Sequence, residues 1–466
     1  MSFRSVWRAC AFVALISASL AMPDGPAWAI PSFATQTGQP CTACHVGAYG
    51  PQLTPFGMAF KIGGYTQAGG DGWASYNPLS AMIIGSFTHT NSAVPDDQIV
   101  HHYNNNNNFA LDQISVFLAG RLGDNTGGFT QWTYSNVTNA VNMDNADLRP
   151  YTRVFDINGK DLRIGFTINN APTVQDPYNT TFAWGYPYVA SHLAPTPAAS
   201  PILASGFVGN SIGYTAYAWF DRSLYLEAGG YTTASPWFLA RIGNSFGVGS
   251  TQGLAPYVRA AYQWDWNAQS AHVGMIYMGA KVNPTVDTFN TDGSNGRDNY
   301  QDYGVDAGYM WLGDGTHIVT TQGIFVHEGQ NLQGTAGGFN AANGTDFGSS
   351  YSLNTVRLNA SYWYQNTYGV TAAWQKTWGP PNPVLYQPGE LTGSANSKPN
   401  SNAFILEADY VPFGKADSFA SPWLNLKLGI QYTIYTQFNG GSSNYDGFGR
   451  SASANNTLFL FAWLAF

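Results

Sequence analysis

From Leu79 onward, apolar and polar positions alternate with period two. Ala110 to Leu122, Gly213 to Phe220, Arg259 to Trp266, Tyr300 to Trp311 and Leu424 to Tyr435 each read large-apolar, then small or polar. Alternation over such lengths predicts half-buried strands rather than helices. Sixteen such runs are predicted, the first near 80–90 and the last near 456–466. The connections alternate too. Tight turns are predicted at Asn158-Gly159, Asp221-Arg222, Asn267 to Gln269, Gly313 to Gly315 and Gln365 to Thr367. Longer linkers fall at 171–207, 234–255, 328–352, 379–401 and 437–455, and an Asn-rich loop containing Asn104 to Asn108 follows the first strand. Short turns on one side and long loops on the other are what an outer-membrane barrel needs. An even strand count brings both ends of the sheet to the periplasmic side. The last run ends Leu464-Ala465-Phe466, the usual terminal pattern of such barrels.

Composition narrows the class further. Charged residues make up 10% of the 466-residue chain and aromatics 15%, the opposite of a disordered segment. The net charge of −8 argues against a nucleic-acid partner. No apolar run long enough for a membrane helix follows the N-terminus. A sandwich would not need alternating loop lengths, and a propeller would show a long repeat, which the chain lacks. The predicted fold is therefore all-β: a transmembrane antiparallel β-barrel of about sixteen strands over residues 79–466, set among outer-membrane lipid. Residues 1–29 read as a signal peptide, with Arg4 and Arg8 basic, Ala9 to Met22 apolar, and Ala27-Trp28-Ala29 before the cut. That predicts export to the outer membrane of a Gram-negative cell. Cys10 leaves with the leader.

The two remaining cysteines stand in Cys41-Thr42-Ala43-Cys44-His45, a C-x-x-C-H motif for c-type haem attachment. Two thiols add to the two vinyl groups of one haem, and the next residue presents its imidazole to the iron. A structural zinc site needs four ligands, and no second Cys pair stands nearby. A thioredoxin-like pair would sit in a βαβ setting that the flanks do not supply. A plain disulfide gives His45 no reason. The expected cofactor is one haem c, bound through Cys41 and Cys44 with His45 as proximal ligand. Met58 is the candidate sixth ligand. His89, His101 and His102 compete with it, and an open or water-bound position stays in play. Lys61 is the candidate propionate partner. The segment 30–78 is too small for a sturdy core of its own, so it leans on haem and on something larger.

The motif resembles a known family on a specific stretch: Pro31-Ser32-Phe33-Ala34-Thr35-Gln36-Thr37-Gly38, then Cys41 to His45, then Leu53-Thr54-Pro55-Phe56-Gly57 and Phe60-Lys61 through Gly64-Tyr65-Thr66. These are similar to the fused monohaem cytochrome–porins of outer membranes, best known as iron oxidases. Beyond Thr66 the resemblance is architectural. Thr35 and Met58 depart from the family, which usually carries a basic residue and an arginine there. The resemblance implies a cytochrome segment seated in or under the pore. It also implies an electron conduit that oxidises extracellular Fe(II) at the haem and passes electrons to a soluble periplasmic cytochrome. Asp96, Asp97, His101 and His102, in the first outer loop, are the candidate Fe(II)-docking groups, since carboxylate and imidazole suit a transient ferrous ion. Two other readings stay open: a solute porin whose haem-bearing plug is structural or gating, and a conduit for a different extracellular donor.

Overall fold

The structure, a computed structural model, describes residues 32–466 apart from 71, 73, 74, 76, 101, 182–184, 246, 248, 285–295, 416 and 422. The predicted leader and His101 lie outside the described residues.

Sixteen strands close into one antiparallel barrel. They are β1 (Leu79–Thr90), β2 (Asn108–Gly123), β3 (Thr126–Ser135), β4 (Ala140–Ile157), β5 (Lys160–Asn169), β6 (Ser211–Phe220), β7 (Leu224–Thr233), β8 (Ala255–Trp266), β9 (Gln269–Asn283), β10 (Asp298–Trp311), β11 (His317–Leu332), β12 (Ser350–Tyr364), β13 (Tyr368–Trp378), β14 (Ser401–Tyr410), β15 (Asn425–Gln437) and β16 (Thr457–Ala465). A two-residue strand, Ser250–Thr251, adds to the rim of β9. The ring closes between β1 and β16, from Met82 opposite Ala465 to Thr90 opposite Thr457. Closure leaves no open sheet edge, which a strand structure in lipid requires. The tight turns fall where the pattern put them. Asn158 and Gly159 both take positive φ, the conformation whose twist suits a two-residue hairpin.

Strand β8 shows how sequence becomes wall. Tyr257, Arg259, Ala261 and Gln263 are buried on the lumen side, while Val258, Tyr262 and Trp264 are exposed on the other. The same holds around the ring. Asp147, Arg149, Glu227, Asp302, Asp306, Glu328, Glu407 and Lys427 point inward and are buried. Val116, Phe166, Leu226, Val305, Val370, Leu406 and Ile430 face out. An apolar exterior over a polar interior is the signature of a barrel whose solvent is lipid. The protein is therefore an outer-membrane β-barrel. No described helix is long and apolar enough to cross a membrane; the strands do the crossing.

Inward charges of this number need partners, because a buried unpaired charge costs several kcal/mol. Two chain segments supply them. One is 170–210, predicted as an outer linker, which instead folds into the barrel. It meets the wall around much of the ring: Ser191 Oγ with Thr88 of β1 (2.6 Å), His192 with Asp112 of β2 (3.3 Å), and Val189 O with Gln431 of β15 (2.8 Å). The backbone N–H groups of Ile202 and Leu203 donate to Glu328 and Asp302 (2.5 and 2.7 Å). The other segment is the N-terminal one, 32–70, which seats at the periplasmic mouth. Ser32 meets Ser80 at the start of β1, Gly47 N donates to Asn366 in the β12–β13 turn, and Tyr49 packs edge-on against Trp463 of β16 at 4.9 Å. The two segments also touch each other. Tyr188 Oη donates to Gln52 (3.0 Å) and Asn179 Nδ2 to Pro51 O (2.5 Å). Between them lies a cavity of about 30 Å³, room for a water or two. Among the described residues, these two segments occupy the lumen between the walls.

Candidate functional site

The N-terminal segment holds three short helices: α1 (Ser32–Thr37), α2 (Cys41–Cys44) and α3 (Pro55–Ile62). One turn of helix sets Cys41 and Cys44 at i and i+3, on one face. The chain then extends at His45, which pairs with Leu53 in an isolated antiparallel bridge. Thr54 ties this loop shut. Its hydroxyl donates to Ala43 O (2.5 Å) and accepts from Gly57 N (3.2 Å), capping α3, while Pro55 takes the first helical position. Gly57 lies directly on the Cys44 carbonyl, so a side chain there would collide with it. The Leu53-Thr54-Pro55-Phe56-Gly57 stretch thus exists to hold the motif. The Thr-Pro signature of a helix start was readable in the sequence; its second bond, to the motif, was not.

α1 braces the other side. Phe33 stacks on Tyr65 at 5.2 Å and meets Phe60 edge-on at 5.1 Å. Gln36 donates to the carbonyls of Tyr65 and Gln67 and accepts from Arg121 N at the end of β2. Within this packed segment, Cys41 to His45 keep accessible surface, as do Phe33, Ala34, Pro55, Phe56 and Ala59. Pro55, Phe56 and Ala59 lie along one stripe of α3.

These residues fit a covalently held haem. Both thiols are free rather than joined, and burial pushes the Cys44 thiol up to about 12. Burial pushes the His45 imidazole down to about 4, so it stays neutral, the form that binds a metal. The ring lies against the backbone of Gly50 and Gln52. Each thiol can add across one vinyl group, sulfur to one carbon and hydrogen to the other, with no oxidant needed.

Two of the candidate residues are engaged within the protein. Lys61 is not free for a propionate. It is buried, and its Nζ donates to Asp176 O (2.7 Å) and Asn179 Oδ1 (3.0 Å) of the inward segment. The sequence could not foresee this, because the partner lies more than a hundred residues away. Burial pushes Lys61 down to about 8 from 10.5. Its desolvation cost is complete below pH 8 and falls away as pH rises toward 10.5, where the unfolded form also loses its proton. Wild type should therefore gain thermal stability relative to Lys61→Met as pH climbs from 8 to 10.5, read as the difference in unfolding midpoints. A constant difference would mean that Lys61 is not desolvated. Met58, the proposed sixth ligand, is packed instead against the wall with Tyr178, Tyr217, Trp219, Tyr225 and Met310, and is 2% exposed. Cys41 packs in a different cluster, with Ile318, Trp363 and Val411.

Among the described residues, the competing histidines His89 and His102 are distant or engaged. His89 is ten residues up β1 from the periplasmic end, about 33 Å of strand rise, and contacts Asn107. His102 is exposed in the outer loop beside Tyr103. Asp96 and Asp97 are exposed there too, accepting from Asn105 and Gln98. Among the described residues, no three His, Cys, Asp or Glu side chains gather as a metal site.

What the sequence did not single out is the ionic knot above the motif. Arg259 reaches Asp306 through both terminal nitrogens (2.8 and 2.9 Å) and Asp176 through Nε (3.0 Å), all fully buried. Arg149 pairs with Asp147 (3.1 Å), which also accepts from Tyr65 of the N-terminal segment (2.7 Å).

No family model matches the chain, and no curated protein does. Among solved structures it is similar to the outer-membrane channel DcaP of Acinetobacter baumannii, at 13% identity over 83% of this chain and 96% of that one, with a TM-score of 0.43. OprB of Pseudomonas putida matches at 10% identity, 83% and 94% coverage and a TM-score of 0.44. An anion-selective porin from Comamonas acidovorans matches at 10%, 83% and 98%, with 0.41. Likeness at this distance carries no function.

Proposed function

We propose that this barrel conducts electrons rather than solutes across the outer membrane, through one haem c held by Cys41, Cys44 and His45 in the plug at its periplasmic mouth. The observation that carries the reading is a C-x-x-C-H turn braced by α1, by α3 and by the bridge to Leu53, with segment 170–210 folded into the lumen beside it. A bound haem would supply a one-electron couple. The protein's own part is to fix that group at the periplasmic mouth, within reach of a soluble cytochrome, and to keep water and ions from leaking past. Extracellular Fe(II) is the proposed donor, giving up one electron on the outer side so that ferric products stay outside. Asp96 and Asp97, with His101 and His102, belong to that proposal as cation-attracting groups of the outer loop.

A second reading is a gated solute porin. It is favoured by the seal itself: beside its apolar contacts through Ile202, Leu203 and Phe207, segment 170–210 is held by hydrogen bonds and ion pairs, which can be exchanged for water. Oxidised protein mixed with Fe(II) under nitrogen, and followed optically, separates the two. The conduit predicts reduced haem bands at a rate suited to turnover, and no swelling of liposomes in sugar solutions. A haem that dithionite reduces but Fe(II) leaves oxidised moves the donor to another class. Liposome swelling supports the porin.

A further inference from the structure

Six of the seven periplasmic turns are tight, five residues or fewer. The exception joins β14 to β15 and runs 411–424. Among its described residues, several contacts lead to the motif segment and to the neighbouring turn. Val411 is fully buried in a cluster with Val46, Ala48 and Tyr49, against which Cys41 packs, and its N–H donates to Thr367 O (2.7 Å). Gly414 lies against Ala48 so closely that a side chain would strike it. At the loop's end, Asn425 Nδ2 donates to Ala48 O (2.7 Å) and the same side chain is the polar neighbour of the Cys41 thiol. Backbone bonds from Ser421 to Ser418 and from Trp423 and Leu424 to Ala420 shape the rest. The loop is a built structure tied to the plug.

It nevertheless leaves a large apolar surface uncovered. Phe413 and Phe419 meet edge-on at 5.3 Å. Phe419 is 84% exposed, the most exposed of the chain's large apolar side chains among the described residues. A phenylalanine held by a fixed neighbour and left in water is less favourable than one buried, so the pair implies a cover. Membrane lipid is the ordinary cover for aromatics at a barrel rim, but those sit on outward-facing strand ends. This pair is on a turn whose anchors are in the plug.

We propose that the 411–424 loop is the second wall of the haem pocket, with Phe413 and Phe419 the apolar pair that meets the porphyrin and Asn425 the residue that holds the Cys41 end of the motif to it. The inference rests on the haem reading above. One wall is the accessible face of the N-terminal segment, with Phe33 and Phe56. The other is the loop. A haem closed between them is shielded from periplasmic water, which raises its potential and slows polar reductants.

The test compares wild type with the Phe413→Ala/Phe419→Ala double variant and with Phe448→Ala, an exposed phenylalanine in an outer loop. All are purified full-length in detergent, and folding is checked by heat-modifiable migration. The readouts are the midpoint potential by optical titration and the rate of reduction by dithionite. The double variant should keep its covalent haem, since both cysteines remain. Its potential should fall and its reduction should run several-fold faster, with Phe448→Ala unchanged. Unchanged potential and rate in the folded double variant would overturn the proposal. So would an effect confined to electron delivery to an added soluble cytochrome c, because the pair would then be a protein-docking surface. A wild-type chain without haem would remove the underlying reading as well, and haem staining alone identifies that case.

Discussion

Replacing Cys41 and Cys44 together by alanine is expected to give a folded barrel with no covalent haem. The barrel's own cohesion supports the first half. Its ring closes through strand-to-strand pairing alone, from β1 through β16, and the motif contributes no ladder bond. The cysteines also carry little of the plug's anchoring. That falls to Gln36 on Arg121, Gly47 on Asn366, Ala48 on Asn425 and Tyr65 on Asp147. The second half follows from chemistry: without a thiol at either position, no thioether can form. Haem staining on a denaturing gel should fall from full to background, while the unheated sample keeps the fast migration of a folded barrel. His45→Ala should behave differently. Attachment persists through the two thioethers, but the spectrum loses the signature of imidazole ligation. Haem that survives denaturation in the double cysteine variant would sink the assignment. Loss of the folded band together with haem would say that haem is a folding element of the barrel.

The alternation read from the chain located every barrel strand, because lipid outside and polar lumen inside impose opposite demands on successive residues. Val258, Tyr262 and Trp264 against Tyr257, Arg259 and Gln263 is that rule in one strand. The motif was legible for a similar reason: its chemistry is local, confined to Cys41 through His45. Segment 170–210 was not. It mixes apolar residues with prolines and turn formers without a period, and such composition reads the same whether a loop lies outside the barrel or folds into its lumen. Only the partners distinguish the cases, and Asp302, Glu328 and Gln431 lie far along the chain. The packing partners of Lys61 and Met58 were hidden for the same reason. Each is next to the motif in sequence, but a helix sends neighbouring residues to different faces. α3 turns Phe56 to the accessible side and Met58 and Lys61 into the wall and the inward segment.

Arg259→Met is expected to destabilise the protein by about 3–5 kcal/mol and to open the lumen to ions. Arg259 is the only cation that reaches both Asp176 and Asp306 among the described residues, and all three side chains are fully buried. Methionine of similar length leaves two carboxylates in a water-poor interior. Asp306 would retain Thr180 (2.6 Å) and the imidazole of His272 (3.4 Å). Asp176 would retain only hydroxyl and backbone donors from Tyr178, Thr180 and Thr181. The cheapest relief is to hydrate Asp176, which is to lift segment 170–210 off the wall at its centre. That motion also pulls on Lys61, which donates to the carbonyl of the same residue, so the loosening reaches the plug. In planar bilayers, wild type should pass almost no current and Arg259→Met should show frequent openings, with a lower thermal midpoint in detergent. The triple variant Arg259→Met/Asp176→Asn/Asp306→Asn removes the orphaned charges along with the cation. It should recover most of the stability and close again, because a neutral interior of the same volume has no need of water. If Arg259→Met stays closed with an unchanged midpoint, the knot is not what holds the inward segment. If the triple variant stays open, the seal depends on the arginine's shape and its stacking on Tyr178 rather than on its charge.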